Sequence, residues 1–214
     1  MMKFLHRLGS PACFYRFAGR LLPFLAVSLV VLLALGLYGG LVWAPPDYQQ
    51  GEAYRIIFVH VPAAWMSLMV YGTMAALAFC GVVWNFKMSA VLASASAPIG
   101  ASFTFIALAT GGIWGKPMWG TWWVWDARLT SELVLLFLYL GFMALQATLP
   151  DKRAAWRAGA ILLLVGFVNV PVVHFSVDWW NTLHQPATVF RADGPAMHPQ
   201  MLYPLLTMAA AFMV

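Results

Sequence analysis

Charged residues are scarce in this sequence, because Asp, Glu, Lys and Arg together make up only 9% of its 214 residues. A soluble domain has about a quarter of its residues charged and about half apolar. Here 63% of the residues are hydrophobic and the mean hydropathy is +0.80. This balance excludes an ordinary soluble protein and indicates an integral membrane protein.

Reactive and nucleotide-binding motifs are also missing. The two cysteines, Cys13 and Cys80, form no Cys-x-x-Cys pair, so thiol chemistry is not expected. There is no G-x-x-x-x-G-K-[ST] loop, which excludes ATP hydrolysis by this chain. The H-E-x-x-H and G-x-S-x-G motifs of common membrane hydrolases are absent as well.

Long apolar runs are what the sequence has in abundance. A transmembrane helix needs about 20 apolar residues to cross the hydrocarbon core. We therefore predict an all-α fold, a polytopic bundle of six transmembrane helices that forms a single domain over residues 1–214. The last span is expected to be incomplete, since it is still apolar at Val214. The predicted spans are about 21–43, 57–84, 91–113, 129–149, 158–177 and 201–214.

The basic residues predict an orientation in the membrane. Cytoplasmic loops carry an excess of Lys and Arg, and one side of the bundle has twice as many as the other. We expect that side, with both termini, to be cytoplasmic, and we attribute the net charge of +5 to topology rather than to nucleic-acid binding. The eight basic residues of that side are Lys3, Arg7, Arg16, Arg20, Lys87, Lys152, Arg153 and Arg157, against Arg55, Lys116, Arg128 and Arg191.

Tryptophan is concentrated on the opposite, outer side, where five of the 11 lie between Trp114 and Trp125. They form either an interfacial aromatic belt or a flat apolar wall for a large planar ligand. If residues 119–126 form an interfacial helix, Trp119, Trp122, Trp123 and Asp126 share one of its faces. Composition alone does not choose among haem, a quinone, a sterol and a lipid headgroup.

Four of the five histidines lie at or near the same outer face. His60 is inside the second predicted span, where an ionisable residue is functional by default, although a neutral ring bonded to a carbonyl is the alternative. His184 follows Trp179 and Trp180 closely. Two neutral imidazoles from separate segments can bind haem iron from opposite faces. His174, for which a structural hydrogen bond is the better interpretation, and His198 compete for this role.

Arg128 lies beside the tryptophans, two residues after Asp126 and four before Glu132. One interpretation is a local ion pair with Glu132, worth about 0.2–0.5 kcal/mol on a helix surface. The other is a guanidinium that holds a carboxylate of the ligand, for which its planar fork is well shaped.

Three segments together resemble a known family. Trp119–Thr130 (WGTWWVWDARLT), His60–Trp65 (HVPAAW) and Leu183–Pro186 (LHQP) are similar to the tryptophan-rich signature of the haem-handling membrane proteins of cytochrome c maturation. The six-span length makes the CcmC family the best match within that group. The likeness covers essentially the whole chain.

The resemblance implies that haem b is held at the periplasmic face of a bacterial inner membrane, with His60 and His184 as axial ligands. It implies transfer of the haem to the chaperone CcmE, in a complex with the ABC transporter subunits CcmA and CcmB and the small protein CcmD. No catalytic residue is predicted, and help with covalent attachment to the partner stays open. The other predicted cofactor-binding residues are Trp114, Trp119, Trp122, Trp123, Trp125, Asp126 and Arg128.

Other functions remain open at this point. A membrane b-type cytochrome carrying electrons to a quinone is the main alternative, and buried ligands such as His174 would suit it better than His184. A transporter places its substrate site near the midplane of the membrane. A purely structural subunit would need the tryptophans only for stability.

Overall fold

Helices make up most of the chain in a computed structural model, which describes residues 10–185 and 188–214. A π-helical turn extends the first helix through Trp43, and a 3₁₀ turn at Glu52–Ile56 leads into the second. In the described residues the only extended pairing is an isolated bridge between Asp47 and Gly51. The predicted all-α class is confirmed. The helices are α1 (Pro11–Tyr38), α2 (Ile57–Trp84), α3 (Ser89–Trp119), α4 (Ala127–Thr148), α5 (Lys152–Gly166), α6 (Asn169–Trp179) and α7 (Pro199–Met213).

In the part of the chain that the structure describes, five helical segments are long and apolar enough to cross a bilayer, which confirms a polytopic membrane bundle. The fifth consists of α5 and α6, which are separated by a turn at Phe167 and Val168. The sixth predicted span corresponds to the 15-residue α7. α1 begins at Pro11, ahead of the predicted span, because proline is favourable in the first turn of a helix. Lys3 and Arg7 lie outside the described residues.

Two apolar clusters hold the bundle together. The larger joins α2, α3, α4 and α5 around the fully buried rings of Tyr71, Tyr139 and Phe142. The smaller joins the start of α2 to α7 around Phe58 and Leu205. α1 packs mainly on α7, and most of its other side chains are exposed, as expected for a helix facing lipid.

Gly100 lets α3 and α4 approach closely. A Cβ added at this position would overlap the Tyr139 ring at Cζ. The Tyr139 ring cannot withdraw easily, since it is fully buried and its hydroxyl donates a hydrogen bond to the Ser67 carbonyl (2.7 Å). Small residues at such contacts are typical of packed transmembrane helices.

We expect Gly100→Ala to lower the free energy of unfolding by about 1–3 kcal/mol, because overpacking forces strain on a filled core. The measurement is the thermal unfolding midpoint of the full chain in detergent micelles. Gly19→Ala on α1 is the matched control, because an added Cβ there meets nothing within 4 Å. Equal midpoints for the two variants would show that the Tyr139 contact does not restrict this position.

Candidate functional site

The connection between α3 and α4 carries most of the tryptophans, and it is irregular. α3 ends at Trp119, and Gly120 has φ +77°, a left-handed conformation that glycine adopts without steric cost. The interfacial helix considered for residues 119–126 therefore does not form, because Gly120 ends α3. Helical structure resumes only after Asp126, whose Oδ1 accepts a hydrogen bond from the Leu129 amide (2.8 Å) and caps α4.

The five tryptophans differ in exposure. Trp122 and Trp125 are 59% and 77% exposed, whereas Trp119 and Trp123 are half-buried. The rings of Trp123 and Trp125 meet edge to face with centroids 5.3 Å apart. Trp114 lies apart from them, with its indole N–H donated to Gln50 Oε1 (2.9 Å). The connection thus presents exposed aromatic surface backed by partly buried rings.

His60 is held from α3 through its Nδ1 atom. Nδ1 lies 3.0 Å from Thr110 Oγ1, and the edge of the ring packs on Trp114 with centroids 5.7 Å apart. The Thr110 hydroxyl lies 2.6 Å from the Ile106 carbonyl and has only one proton to donate. Oγ1 therefore accepts from His60 Nδ1–H, which leaves Nε2 unprotonated, and Nε2 has no hydrogen bond within the described residues.

His184 is held from α4 in the same way. Its Nδ1 lies 3.0 Å from Asp126 Oδ2, and the ring packs edge-on against Trp119 with centroids 5.0 Å apart. A carboxylate only accepts hydrogen bonds, so Nδ1 carries a proton, and in the neutral form of the ring Nε2 is again the unprotonated nitrogen. Burial lowers the pKa of His184 below its ordinary value and favours that neutral form, although the charge of Asp126 opposes the shift.

The two histidines and the tryptophans lie at one end of the bundle, which we call the tryptophan end: the start of α2, the end of α3, the start of α4 and the segment after α6. Three glycines of α3 make this possible. A Cβ at Gly111 would lie 3.1 Å from His60 Cε1, and one at Gly115 would lie 3.0 Å from Trp119 Cε3. At Gly112 it would lie 3.1 Å from the Trp122 carbonyl oxygen.

Arg128 is half-buried in the first turn of α4. It makes no hydrogen bond or ion pair within the described residues, so the first of its two interpretations, a local pair with Glu132, is not found. Glu132 turns into the bundle instead, where it is 7% exposed and its Oε1 lies 2.7 Å from Ser67 Oγ. The Arg128 guanidinium therefore keeps its donors for another acceptor.

The competing histidines are placed differently. His174 is exposed on α6, where its ring packs edge-on against neighbouring Phe175, and the structural hydrogen bond expected for it is not found among the described residues. The Nδ1 of His198 accepts from the Gln200 amide and caps α7. Within the described residues, neither the His174 ring nor the His198 ring packs against a second histidine or an exposed tryptophan.

The two imidazoles suit a metal ion that already has most of its ligands, as in a metal–porphyrin complex. Within residues 10–185 and 188–214, no three His, Cys, Asp or Glu side chains are grouped to hold a bare ion. Neutral imidazoles can supply the two axial ligands of a haem iron, for which the macrocycle supplies the other four. Thr110 was missed by sequence reasoning, because its partner lies 50 residues away and no local pattern marks it.

Fold and site together define the class: a polytopic α-helical membrane protein with two imidazoles and exposed tryptophans at one end of its bundle. Residues 4–214 match the family described as Heme exporter protein C. The chain therefore belongs to this family, the CcmC family, and the resemblance seen in the sequence is confirmed.

Relatives in bacteria and in plant mitochondria support the assignment. Heme exporter protein C of Escherichia coli K12 is 57% identical over 198 residues, which are 92% of this chain and 81% of the relative. The protein of the same name from Haemophilus influenzae is 49% identical over 213 residues, 100% of this chain and 87% of the relative. A putative cytochrome c biosynthesis ccmC-like mitochondrial protein of Marchantia polymorpha is 44% identical over 200 residues, 94% and 83% of the two chains.

Proposed function

We propose that this chain binds haem b at the periplasmic face of the bacterial inner membrane and hands it to the chaperone CcmE during cytochrome c biogenesis. Membership of the Heme exporter protein C family supports a haem-handling role in a membrane. The observation that carries the proposal is the pair of imidazoles, His60 and His184. Their Nδ1–H groups both donate hydrogen bonds, and their Nε2 atoms have no hydrogen bond within residues 10–185 and 188–214.

Each part of the tryptophan end has a task in this proposal. The Nε2 atoms of His60 and His184 bind iron axially, and Trp119, Trp122, Trp123 and Trp125 cover one side of the ring. Arg128 anchors a propionate by its planar fork. Trp123 Nε1–H is buried without a partner in the described residues, so a ligand oxygen would satisfy it. Trp114 supports the His60 ring from behind.

Presentation at a surface, rather than conduction, follows from this arrangement. The exposed rings of Trp122 and Trp125 leave one side of the site open, which suits transfer to another protein. Midplane sites on broken helices are typical of transporters, whereas the imidazoles here lie at the ends of helices. We include the ABC subunits CcmA and CcmB and the small protein CcmD as partners, which would supply the ATP hydrolysis that this chain lacks the motif to perform.

The experiment that tests the proposal is a haem titration of the purified full chain in detergent. We expect the absorption spectrum of six-coordinate, low-spin haem, because two neutral imidazoles are positioned to bind it. The loaded protein is then mixed with a purified periplasmic haem chaperone, and transfer is followed by separating the two proteins. A parent protein that binds no haem would contradict the proposal at its first step.

We expect the double variant Trp122→Ala, Trp125→Ala to weaken haem binding while the thermal unfolding midpoint stays at the parental value. Two exposed rings contribute about 1–3 kcal/mol of aromatic contact, which corresponds to roughly a 5- to 150-fold higher Kd. Trp84→Ala is the matched control, because Trp84 is 67% exposed and lies at the other end of α2. Unchanged haem affinity in the double variant would favour an aromatic belt.

A further inference from the structure

The two imidazoles of the tryptophan end differ in what holds them. His184 donates its Nδ1–H to a carboxylate, Asp126, over 3.0 Å. His60 donates its Nδ1–H to a neutral hydroxyl, Thr110, over the same distance. A carboxylate partner increases the basicity of the far nitrogen of an imidazole and so strengthens its bond to a metal. A hydroxyl oxygen is a weaker acceptor, because it carries no net charge.

The backbone of α3 orients the Thr110 hydroxyl so that it accepts a hydrogen bond from His60. Its hydroxyl lies 2.6 Å from the Ile106 carbonyl oxygen, so the proton points back along α3 and a lone pair points to His60. The Thr104 hydroxyl on the same helix makes the same backward bond, to Gly100 (2.8 Å), and bonds to no histidine within the described residues. The Thr110 hydroxyl therefore favours the tautomer of His60 that carries its proton on Nδ1.

We propose that Thr110 is a positioning residue for His60, and that the two histidines are unequal ligands, His184 the stronger and His60 the one whose bond to iron opens when haem leaves. This inference rests on the proposed function. It assigns an order to the transfer: the His60 side of the haem opens first, while His184 keeps hold of the iron.

The location of His184 in a connecting segment does not reverse this order. Asp126 holds the imidazole with Oδ2 while its Oδ1 caps α4, so the ring is tied to the start of a helix. The His184 amide also donates to Thr182 Oγ1 (2.9 Å), and Trp119 packs against the ring. The ring of His60 is held by α3, but its Nδ1–H partner is a neutral hydroxyl, so its bond to iron is expected to be the weaker of the two.

Haem affinity of single variants tests the inequality. We expect His184→Ala, which leaves the hydroxyl-backed His60, to have a haem Kd about 10-fold or more above that of His60→Ala. The double variant His60→Ala, Asp126→Asn should have a haem Kd close to that of His184→Ala, because the remaining imidazole has lost its carboxylate partner. Equal affinities for the two single variants, or weaker binding by His60→Ala, would overturn the proposal.

The rate of carbon monoxide binding tests which bond opens. In the dithionite-reduced, haem-loaded protein, one Fe–N bond must break before an Fe–C bond forms, so the observed rate reports opening of the weaker side. We expect Thr110→Val to raise this rate about 10-fold and Thr110→Ser to restore the parental rate, because serine keeps the hydroxyl. Thr104→Val is the matched control and should leave the rate unchanged.

Several results would overturn the proposal. If Asp126→Asn raised the rate of carbon monoxide binding and Thr110→Val did not, the bond between His184 and iron would be the one that opens first. If Thr104→Val raised the rate as much as Thr110→Val, the effect would come from a general change in α3 and not from the tautomer of His60. If the parent binds no haem at all, the proposed function itself fails, and the titration of the parent shows this before any variant is compared.

Discussion

The double variant His60→Ala, His184→Ala is expected to lose the six-coordinate haem spectrum. Its haem Kd should rise by more than the roughly 10- to 100-fold that follows loss of a group that only orients a ligand. Each single variant should give a five-coordinate or partly emptied haem, since one Nε2 is left to bind iron. The physical reason is that these are the two imidazoles at the tryptophan end with an Nδ1 partner and a free Nε2.

The measurement is the absorption spectrum and haem content of purified protein, compared among the parent, both single variants and the double variant. His174→Ala is the matched control, because His174 is exposed and its ring packs on Phe175. If both single variants kept the parental spectrum while His174→Ala lost it, the ligands would lie elsewhere and a membrane b-type cytochrome would become the better interpretation.

Asp126→Asn is expected to raise the haem Kd about 10- to 100-fold while leaving the stability near that of the parent. The two carboxylate oxygens of Asp126 serve two donors, the Leu129 amide and His184 Nδ1–H. An amide has a single oxygen, and it should stay on the Leu129 amide, because the backbone donor is fixed whereas an imidazole can exchange its tautomer. The Nδ1 atom would then accept from the new NH₂ group, and Nε2 would carry the proton.

Asp126→Ala should lower both the haem affinity and the free energy of unfolding, since it also removes the cap of α4, which is worth about 0.5–2 kcal/mol. The measurements are haem titration and thermal unfolding of each variant in the same detergent. Asp151→Asn is the matched control, because Asp151 caps α5 through the Arg153 and Ala154 amides and touches no histidine. Parental haem affinity in Asp126→Asn would show that the carboxylate does not set the tautomer of His184.

Local sequence features predicted part of this site. Gly120, Asp126 and the apolar run after it mark a helix end followed by a new helix start, signals that consecutive residues carry. The interfacial helix considered for residues 119–126 does not form, because the periodic stripe of tryptophans contains Gly120, which ends α3. The ion pair of Arg128 and Glu132, one of two interpretations of their spacing, is not found among the described residues for a related reason. Spacing says which residues share a helix face, but not that Glu132 faces Ser67 of another helix.

The membrane class, the all-α fold and, through the tryptophan-rich signature, the family can all be predicted from the amino-acid sequence. These follow from hydropathy and short motifs, which are properties of neighbouring residues. The contacts that hold the histidines are visible in the folded structure alone. Thr110 lies 50 residues from His60, and Asp126 lies 58 residues from His184. A hydrogen bond depends on distances of about 3 Å between atoms, and packing of the helices, not order along the chain, creates them.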